Sequence, residues 1–236
     1  MFRRLKQSII NHLTDISLSV GRRTFYNSVR FLEFAEITSS AEFIKKHLDS
    51  VSLFDSKKGG YFQYVMEEVC KLNNPGLWLE FGVRDGASAK FFAKYAADYA
   101  QNGCLYGFDS FKGIRNDWSS IDEPNGSFSL NGRIPKSIPN CKFIVGWIED
   151  TLDEFLLHNK SKINFVNFDF DVYQPTKFAL ERIADRLAPG AVVIFDEFHG
   201  YPGWLYHEKK ALEEVLNPSR YKFIAFSRKQ AAIKIL

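Results

Sequence analysis

From Leu77 to the C-terminus the chain alternates short apolar runs with longer helical patterns, and that alternation leaves few folds open. Parallel strands need crossovers long enough to hold a helix, so the pattern predicts an α/β protein with a mostly parallel sheet. The spacing predicts strands over Trp78 to Gly82, Leu105 to Asp109, Lys142 to Gly146, Asn164 to Asp169 and Ala191 to Asp196. Helices are expected over Lys90 to Ala100, Thr151 to His158, Thr176 to Leu187 and His207 to Val215. The last two apolar runs, Tyr221 to Phe226 and Gln230 to Ile235, are separated only by Ser227-Arg228-Lys229. No parallel crossover fits there, so the expected sheet has seven strands and closes in an antiparallel hairpin.

The segment before this pattern reads differently. Ile9, Leu13, Ile16 and Val20 recur at helical spacing, as do Phe31, Phe34 and Ala35 and then Phe43, Ile44 and Leu48. Gly59-Gly60 interrupts the pattern, and Tyr61 to Leu72 predicts one more helix before Asn73-Asn74-Pro75-Gly76 turns into the first strand. Residues 1–75 are therefore expected to form a helical cover over a domain spanning 76–236. Its apolar content exceeds what one domain needs, which predicts self-association. Lys112 to Pro139 is a long Gly-, Asn-, Ser- and Pro-rich insertion whose Trp118, Ile121, Phe128 and Leu130 favour a lid that packs.

Composition narrows the class. Thirty-one basic and 28 acidic residues leave a formal charge of +3, which demands no nucleic-acid partner, and clusters such as Arg3, Arg4, Lys6 and Arg22, Arg23 read as solvated helix faces or contacts to an anionic surface. The chain has no run of about 18 apolar residues and no signal-peptide core, so a cytoplasmic protein without a membrane span is expected. Cys70, Cys104 and Cys141 are widely spaced and lack metal-ligand spacing, which suits reduced thiols.

Chemistry concentrates at the strand ends, where open α/β sheets bind ligands. Leu77 to Ser88 reads as a buried strand, a glycine turn and a helix start. Gly82 and Gly86 carry no Cβ and can take positive φ, so backbone can approach a ligand closely. Four of the five parallel strands end in or near an acid: Glu80, Asp109, Asp169 and Asp196. Asp109 ends the strand beside Glu80 and Gly82, where a carboxylate can accept ribose hydroxyls. Asp169 and Asp171 are two residues apart, so an extended backbone would point both to one side. With Asp196-Glu197 they form a set that would repel unless a cation relieved it, and all-oxygen ligands suit Mg²⁺. The competing reading has Asp171 capping the following helix and Glu197 in a surface ion pair.

Several ordered motifs then coincide: Leu-Glu-Phe-Gly-Val from Leu79, Tyr-Gly-Phe-Asp-Ser-Phe-Lys-Gly from Tyr106, Val-Gly-Trp-Ile-Glu-Asp-Thr-Leu from Val145, Asn-Phe-Asp-Phe-Asp-Val-Tyr-Gln-Pro-Thr-Lys from Asn167, Pro-Gly-Ala-Val-Val-Ile-Phe-Asp-Glu-Phe from Pro189 and Tyr-Pro-Gly-Trp from Tyr201. With these the chain resembles the class I S-adenosylmethionine (SAM) dependent methyltransferases, and within them the macrocin-type sugar O-methyltransferases, over most of its length beyond Leu77. The resemblance implies the Rossmann-like seven-stranded fold with a terminal hairpin. It implies that Glu80, Gly82 and Gly86 hold the methionine part of SAM, that Asp109 holds the ribose, and that Gly146, Trp147, Glu149 and Asp150 border the adenine, with Ser88, Ser110 and Asp169 also on the cofactor. It implies Mg²⁺ on Asp169, Asp196 and Glu197, the last standing where the group usually has aspartate, and Asp171 as general base. His199 is a second candidate base, and Tyr173, Tyr201, Trp204 and His207 follow the same strand ends and are candidates for the acceptor pocket. The implied acceptor is a hydroxyl of a sugar, glycan or glycosylated small molecule. Two other readings stay open at this point: a nicotinamide-dependent oxidoreductase, which also uses an acid after its second strand, and a non-catalytic SAM-binding or interaction protein with the same fold.

Overall fold

The computed structural model describes residues 29–55, 59–115 and 125–236. The stripe from Ile9 to Val20, the basic residues from Arg3 to Arg23, and Trp118 and Ile121 of the insertion lie outside the described residues. One mixed sheet runs through the described chain, built from β1 (Ser52–Leu53), β2 (Leu77–Phe81), β3 (Leu105–Asp109), β4 (Cys141–Val145), β5 (Ile163–Phe168), β6 (Leu187–Phe195), β7 (Tyr221–Phe226) and β8 (Ala231–Ile235). Among the described residues six α-helices accompany them: α1 (Val29–Lys45), α2 (Tyr61–Cys70), α3 (Ala87–Tyr99), α4 (Ile148–His158), α5 (Tyr173–Ile183) and α6 (Glu208–Val215).

The strand order is β1-β7-β8-β6-β5-β2-β3-β4. All pairs are parallel except the two that β8 makes, with β6 and with β7, so the terminal hairpin is where it was expected. The count is eight, a correction to the expected seven. The added strand is β1, two residues paired parallel to the outer edge of β7 through Ser52↔Ala225 and Leu53↔Phe226. Two residues are too few to display the alternation that marks a strand in sequence. A second correction concerns β6, which begins at Leu187, not at the expected Ala191, and carries Pro189-Gly190 inside it.

β2 and β5 are buried at every position because helices cover both faces of the sheet, and a strand covered on both faces reads as a continuous apolar run. On one face Tyr61, Val65, Met66 and Val69 of α2 and Phe92, Ala93 and Ala96 of α3 cover Trp78, Phe165, Val192 and Ile194. The other face is buried under α4, α5 and α6. α1 joins the short periodic runs of the sequence into a single helix. Its Phe43 ring packs between Trp204 at 5.7 Å, Phe223 at 5.6 Å and Phe226 at 6.0 Å.

One feature of register places the site. Phe108, Phe81, Phe168 and Phe195 stand opposite one another on β3, β2, β5 and β6, each ring 5.2 Å from the next. The residue after each is Asp109, Gly82, Asp169 and Asp196. Ladder hydrogen bonds continue one residue past the strands, from Gly82 N to Phe108 O (2.9 Å), Asp169 N to Phe81 O (2.8 Å) and Asp196 N to Phe168 O (2.9 Å). A row of buried rings is thus the floor beneath a polar edge. Truncation of Phe168, which is fully buried in the middle of that row, is expected to cost about 3–5 kcal/mol, measured as the loss in chemical denaturation of Phe168→Ala.

Candidate active site

The chain leaves β2 for β3 and β4 on one side and returns to β5 and β6 on the other, so the order reverses at β2. A crevice opens at such a reversal, outside the carboxyl ends of the strands. Here it holds a cavity of about 320 Å³, at the lower end of the roughly 300–1,000 Å³ typical of small-molecule sites. Its wall brings together Gly82, Asp109 and Ser110, Gly146 and Trp147, Asp169 and Asp171, and Asp196 and Glu197. The described ends of the insertion contribute Gly113, Ile114, Ser127 and Phe128, while Leu130 and Ile138 of the same insertion pack on the core.

Gly82 is required where it stands. Its φ is +86°, and a Cβ there would lie 2.0 Å from the carbonyl oxygen of Asp169. Only glycine permits both the backbone angle and the approach of the two strand ends. Asp109 organises the same turn: Oδ2 accepts from Val83 N (2.8 Å) and Arg84 N (2.6 Å), and Oδ1 accepts from Phe111 N (2.6 Å). Each carboxylate oxygen has two acceptor positions, so Oδ1 keeps one for a ligand on the cavity side. Glu80 is fully buried and lies off the cavity wall, opposite Asn167, whose side chain donates to Oε1 at 3.1 Å. Burial pushes its carboxyl up to about 8, against the pull of hydrogen bonds from Ser88 and Asn167.

On the β5 and β6 side the acids are crowded. The Asp169 carboxyl is driven well above the usual range, first by burial and then by the charges of Asp196, Asp171, Glu80 and Glu197. Asp196 is raised by burial and drawn back by a hydrogen bond from Gln230 and the charge of Lys229. The expected extended run through Asp169 and Asp171 is corrected: β5 ends at Phe168 and Asp171 has a left-handed backbone, φ +62°. The intervening Phe170 ring stacks on Phe81 at 5.7 Å, and this packing turns the loop so that both carboxylates still reach one cavity. Arg84, Phe111 and Phe128 also have positive φ around the cavity. Bulky residues in that region cost energy and gather at functional sites. Asp171 is not a helix cap, since α5 starts after Val172 and its N-cap makes no side-chain hydrogen bond.

Other expected residues stand elsewhere. His199 is buried, with Nδ1 3.3 Å from Ser40 Oγ of α1, and burial lowers its imidazole to about 4. It fastens α1 to the sheet and does not line the cavity. Glu149 pairs with Arg115 at 3.6 Å, and Glu149 and Asp150 lie in the first turn of α4, where acids suit the helix dipole. Arg115 also lies over the Trp147 ring at 5.4 Å. Gly86 begins α3 at φ +83°, beside Ile138. Tyr173 bonds to Glu214, Trp204 is core, and Tyr201 bonds to Glu197 O (2.7 Å) and to His207 Nδ1 (3.2 Å), so none of these four lines the cavity. Arg84 and Phe170 line the cavity without having been singled out in sequence, and Ile148 does so within the expected run from Gly146 to Asp150. So does the setting of Glu208 come only from the fold: fully buried at the start of α6, its Oε2 accepts from Glu197 N at 3.0 Å, and burial and the charges of Asp171, Asp196 and Asp169 drive its carboxyl well above the usual range. A carboxylate in a helix's first turn otherwise reads as surface.

Among the described residues no three His, Cys, Asp or Glu side chains converge so as to hold a metal ion, and Glu197 is occupied by an ion pair with Lys229 at 2.9 Å. The residues therefore do not fit the three-carboxylate arrangement expected at Asp169, Asp196 and Glu197. Among the described residues no helix is long and apolar enough to cross a membrane.

Comparison with known proteins agrees with this fold. A rhamnosyl-tetracenomycin 4′-O-methyltransferase of Streptomyces olivaceus is 27% identical over 154 residues, 58% of each chain, so this chain spans less than two thirds of that relative. The calicheamicin methyltransferase CalS11 superposes with a TM-score of 0.60 at 24% identity, covering 73% of this chain and 76% of that one. The O-methyltransferase NovP does so with a TM-score of 0.55 at 18% identity, covering 73% and 77%. A family profile described as a methyltransferase domain matches residues 79–198, just over half of the chain, which displaces the nicotinamide-dependent reading. The chain belongs to the methyltransferase domain family and has the fold of the class I SAM-dependent methyltransferases.

Proposed function

We propose that this protein transfers a methyl group from SAM to a hydroxyl of a sugar or glycosylated small molecule, with Asp171 as the base. The observation that carries the reading is the joining of two halves in one cavity: Gly82, Asp109 and Gly146 from β2, β3 and β4 on one side, and the carboxylates of Asp169, Asp171 and Asp196 on the other. The first half suits an adenosyl cofactor, because the Gly82 turn has no Cβ in the way, Asp109 has an acceptor to spare for a ribose hydroxyl, and Trp147 offers an aromatic face beside Ile148. Glu80, beneath the Gly82 turn, belongs to the methionine end. The sugar acceptor is favoured by the rhamnosyl substrate of the Streptomyces olivaceus relative and by the description of CalS11 as a TDP-rhamnose 3′-O-methyltransferase.

SAM, when bound, supplies a methyl group on a positively charged sulfur that needs little further activation. The protein must align the acceptor oxygen and remove its proton. Asp171 sits on the wall where an acceptor hydroxyl would lie, and a carboxylate there takes the proton as the oxygen–carbon bond forms. Arg84 and Phe128, with the guanidinium 5.3 Å from the ring centre, line the same cavity.

Titration calorimetry with S-adenosylhomocysteine tests the cofactor half directly. Wild-type protein is expected to bind it, and Asp109→Asn to bind about 10–100-fold more weakly, the cost of a hydrogen bond to a charged acceptor. Circular dichroism must show the variant folded, since the same side chain holds Val83, Arg84 and Phe111. Absence of binding by the wild type overturns the reading.

A further inference from the structure

Asp196 and Glu197 directly follow β6 beside the cavity, and both are already held by the turn between β7 and β8. Lys229 Nζ lies 2.9 Å from Glu197 Oε1 and 2.9 Å from Oε2, and Gln230 donates its side-chain amide to Asp196 Oδ1. The turn has little freedom to move away. Phe198 N and His199 N both donate to the carbonyl of Lys229, at 2.8 and 3.1 Å, and Ser227 N donates to Gln230 O at 3.0 Å. The Tyr201 ring lies 5.2 Å from the ammonium, while its hydroxyl donates to Glu197 O at 2.7 Å. Residues after β6 and residues of the hairpin therefore build a lysine into the place where a cation would neutralise these acids.

A divalent ion bridging Asp196 and Glu197 would stand within a few ångströms of that ammonium, a like-charge contact that favours release of one of the two. The lysine is tethered, and the ion is not. We propose that Lys229 stands in for the divalent cation: it is the resident counter-charge of the Asp196–Glu197 pair, and methyl transfer at this site runs without a metal. The step balances without one. The acceptor O–H bond breaks and its proton passes to the Asp171 carboxylate; the oxygen–carbon bond forms as the carbon–sulfur bond breaks, and the electron pair of that bond stays on sulfur. Lys229 touches none of the reacting atoms and is a positioning residue, fixing the β6 end that forms one wall. The inference rests on the methyltransferase reading above.

Manganese is the probe, since its free and bound forms are counted separately by electron paramagnetic resonance. The full chain is compared as wild type, Lys229→Arg and Lys229→Met, with S-adenosylhomocysteine affinity measured in chelator and in Mg²⁺. The wild type and Lys229→Arg are expected to show no saturable Mn²⁺ binding, with wild-type S-adenosylhomocysteine affinity equal within about twofold in the two buffers; Lys229→Met, its carboxylates released, is expected to bind Mn²⁺ saturably, at least about tenfold more tightly than any residual binding by the wild type. Wild-type binding as tight as that of Lys229→Met overturns the proposal, and absence of binding by all three overturns the assignment to Lys229. Should Lys229→Met not fold, saturable Mn²⁺ binding by the wild type or a Mg²⁺-dependent gain in ligand affinity still overturns it. Failure of S-adenosylhomocysteine to bind in either buffer is a different result, and it overturns the methyltransferase reading.

Discussion

Methyl transfer by Asp171→Gly is expected to fall by about 10²–10⁴-fold, the usual contribution of a positioned general base, while the protein becomes slightly more stable. The two effects come from the same residue. Asp171 holds φ at +62°, a conformation that costs a residue with a Cβ and that glycine adopts freely. Removing the side chain also takes one charge from a group that repels Asp169 and Glu208. Relief of the backbone alone is worth on the order of 1 kcal/mol, enough to register as a rise in melting temperature. Transfer of tritiated methyl from SAM to a panel of rhamnosyl glycosides gives the rate, and S-adenosylhomocysteine affinity should stay near that of the wild type because the proposed role of the residue is toward the acceptor. A stable variant with undiminished transfer would remove Asp171 from the chemistry.

The second large effect is expected at Glu80. Its carboxyl has been raised to about 8 from 4.5 by complete burial. In the folded state the proton is retained until the pH approaches 8, whereas the unfolded chain releases it near 4.5. Folding is therefore linked to proton retention: stability contributed by this group is fully present below pH 4.5 and is lost as the pH rises through the folded value. A shift of that size corresponds to about 5 kcal/mol. Glu80→Gln keeps an acceptor for the Asn167 amide but has no proton to lose, so it is expected to match the wild type at pH 4 and to exceed it in urea denaturation at pH 9. Equal stability of the two proteins at pH 9 would show that the buried carboxyl carries no such penalty.

Much of this architecture is legible in residues alone. The alternation of buried runs with helical spacings sets five parallel strands, because a strand covered on both faces cannot avoid reading as continuous apolar sequence. The short Ser227-Arg228-Lys229 link sets the antiparallel end, because no crossover helix fits in it. Gly82 and the strand-end acids Asp109, Asp169 and Asp196 are also legible, since a glycine or a carboxylate directly after a run of core residues has few structural explanations. The cavity wall contains all four.

What remained hidden depends on contacts between residues distant in sequence. β1 exists because β7 offers an unpaired edge, not because Ser52 and Leu53 carry a pattern. His199 looks like a base beside a strand end, and only the placement of Ser40 on α1 turns it into a buried fastening. Phe170 decides where Asp171 points by stacking on Phe81, nearly ninety residues earlier in the chain. Glu208 and Lys229 carry helix-surface and hairpin-turn signatures, yet folding buries the first beneath Glu197 and sets the second against its carboxylate. Sequence by itself therefore determined the order of elements and the edge at which chemistry would gather, because backbone hydrogen bonding and burial act locally and periodically. The tertiary structure alone decided which acids share a cavity and what answers their charge, because that balance is set through space between groups from separate strands.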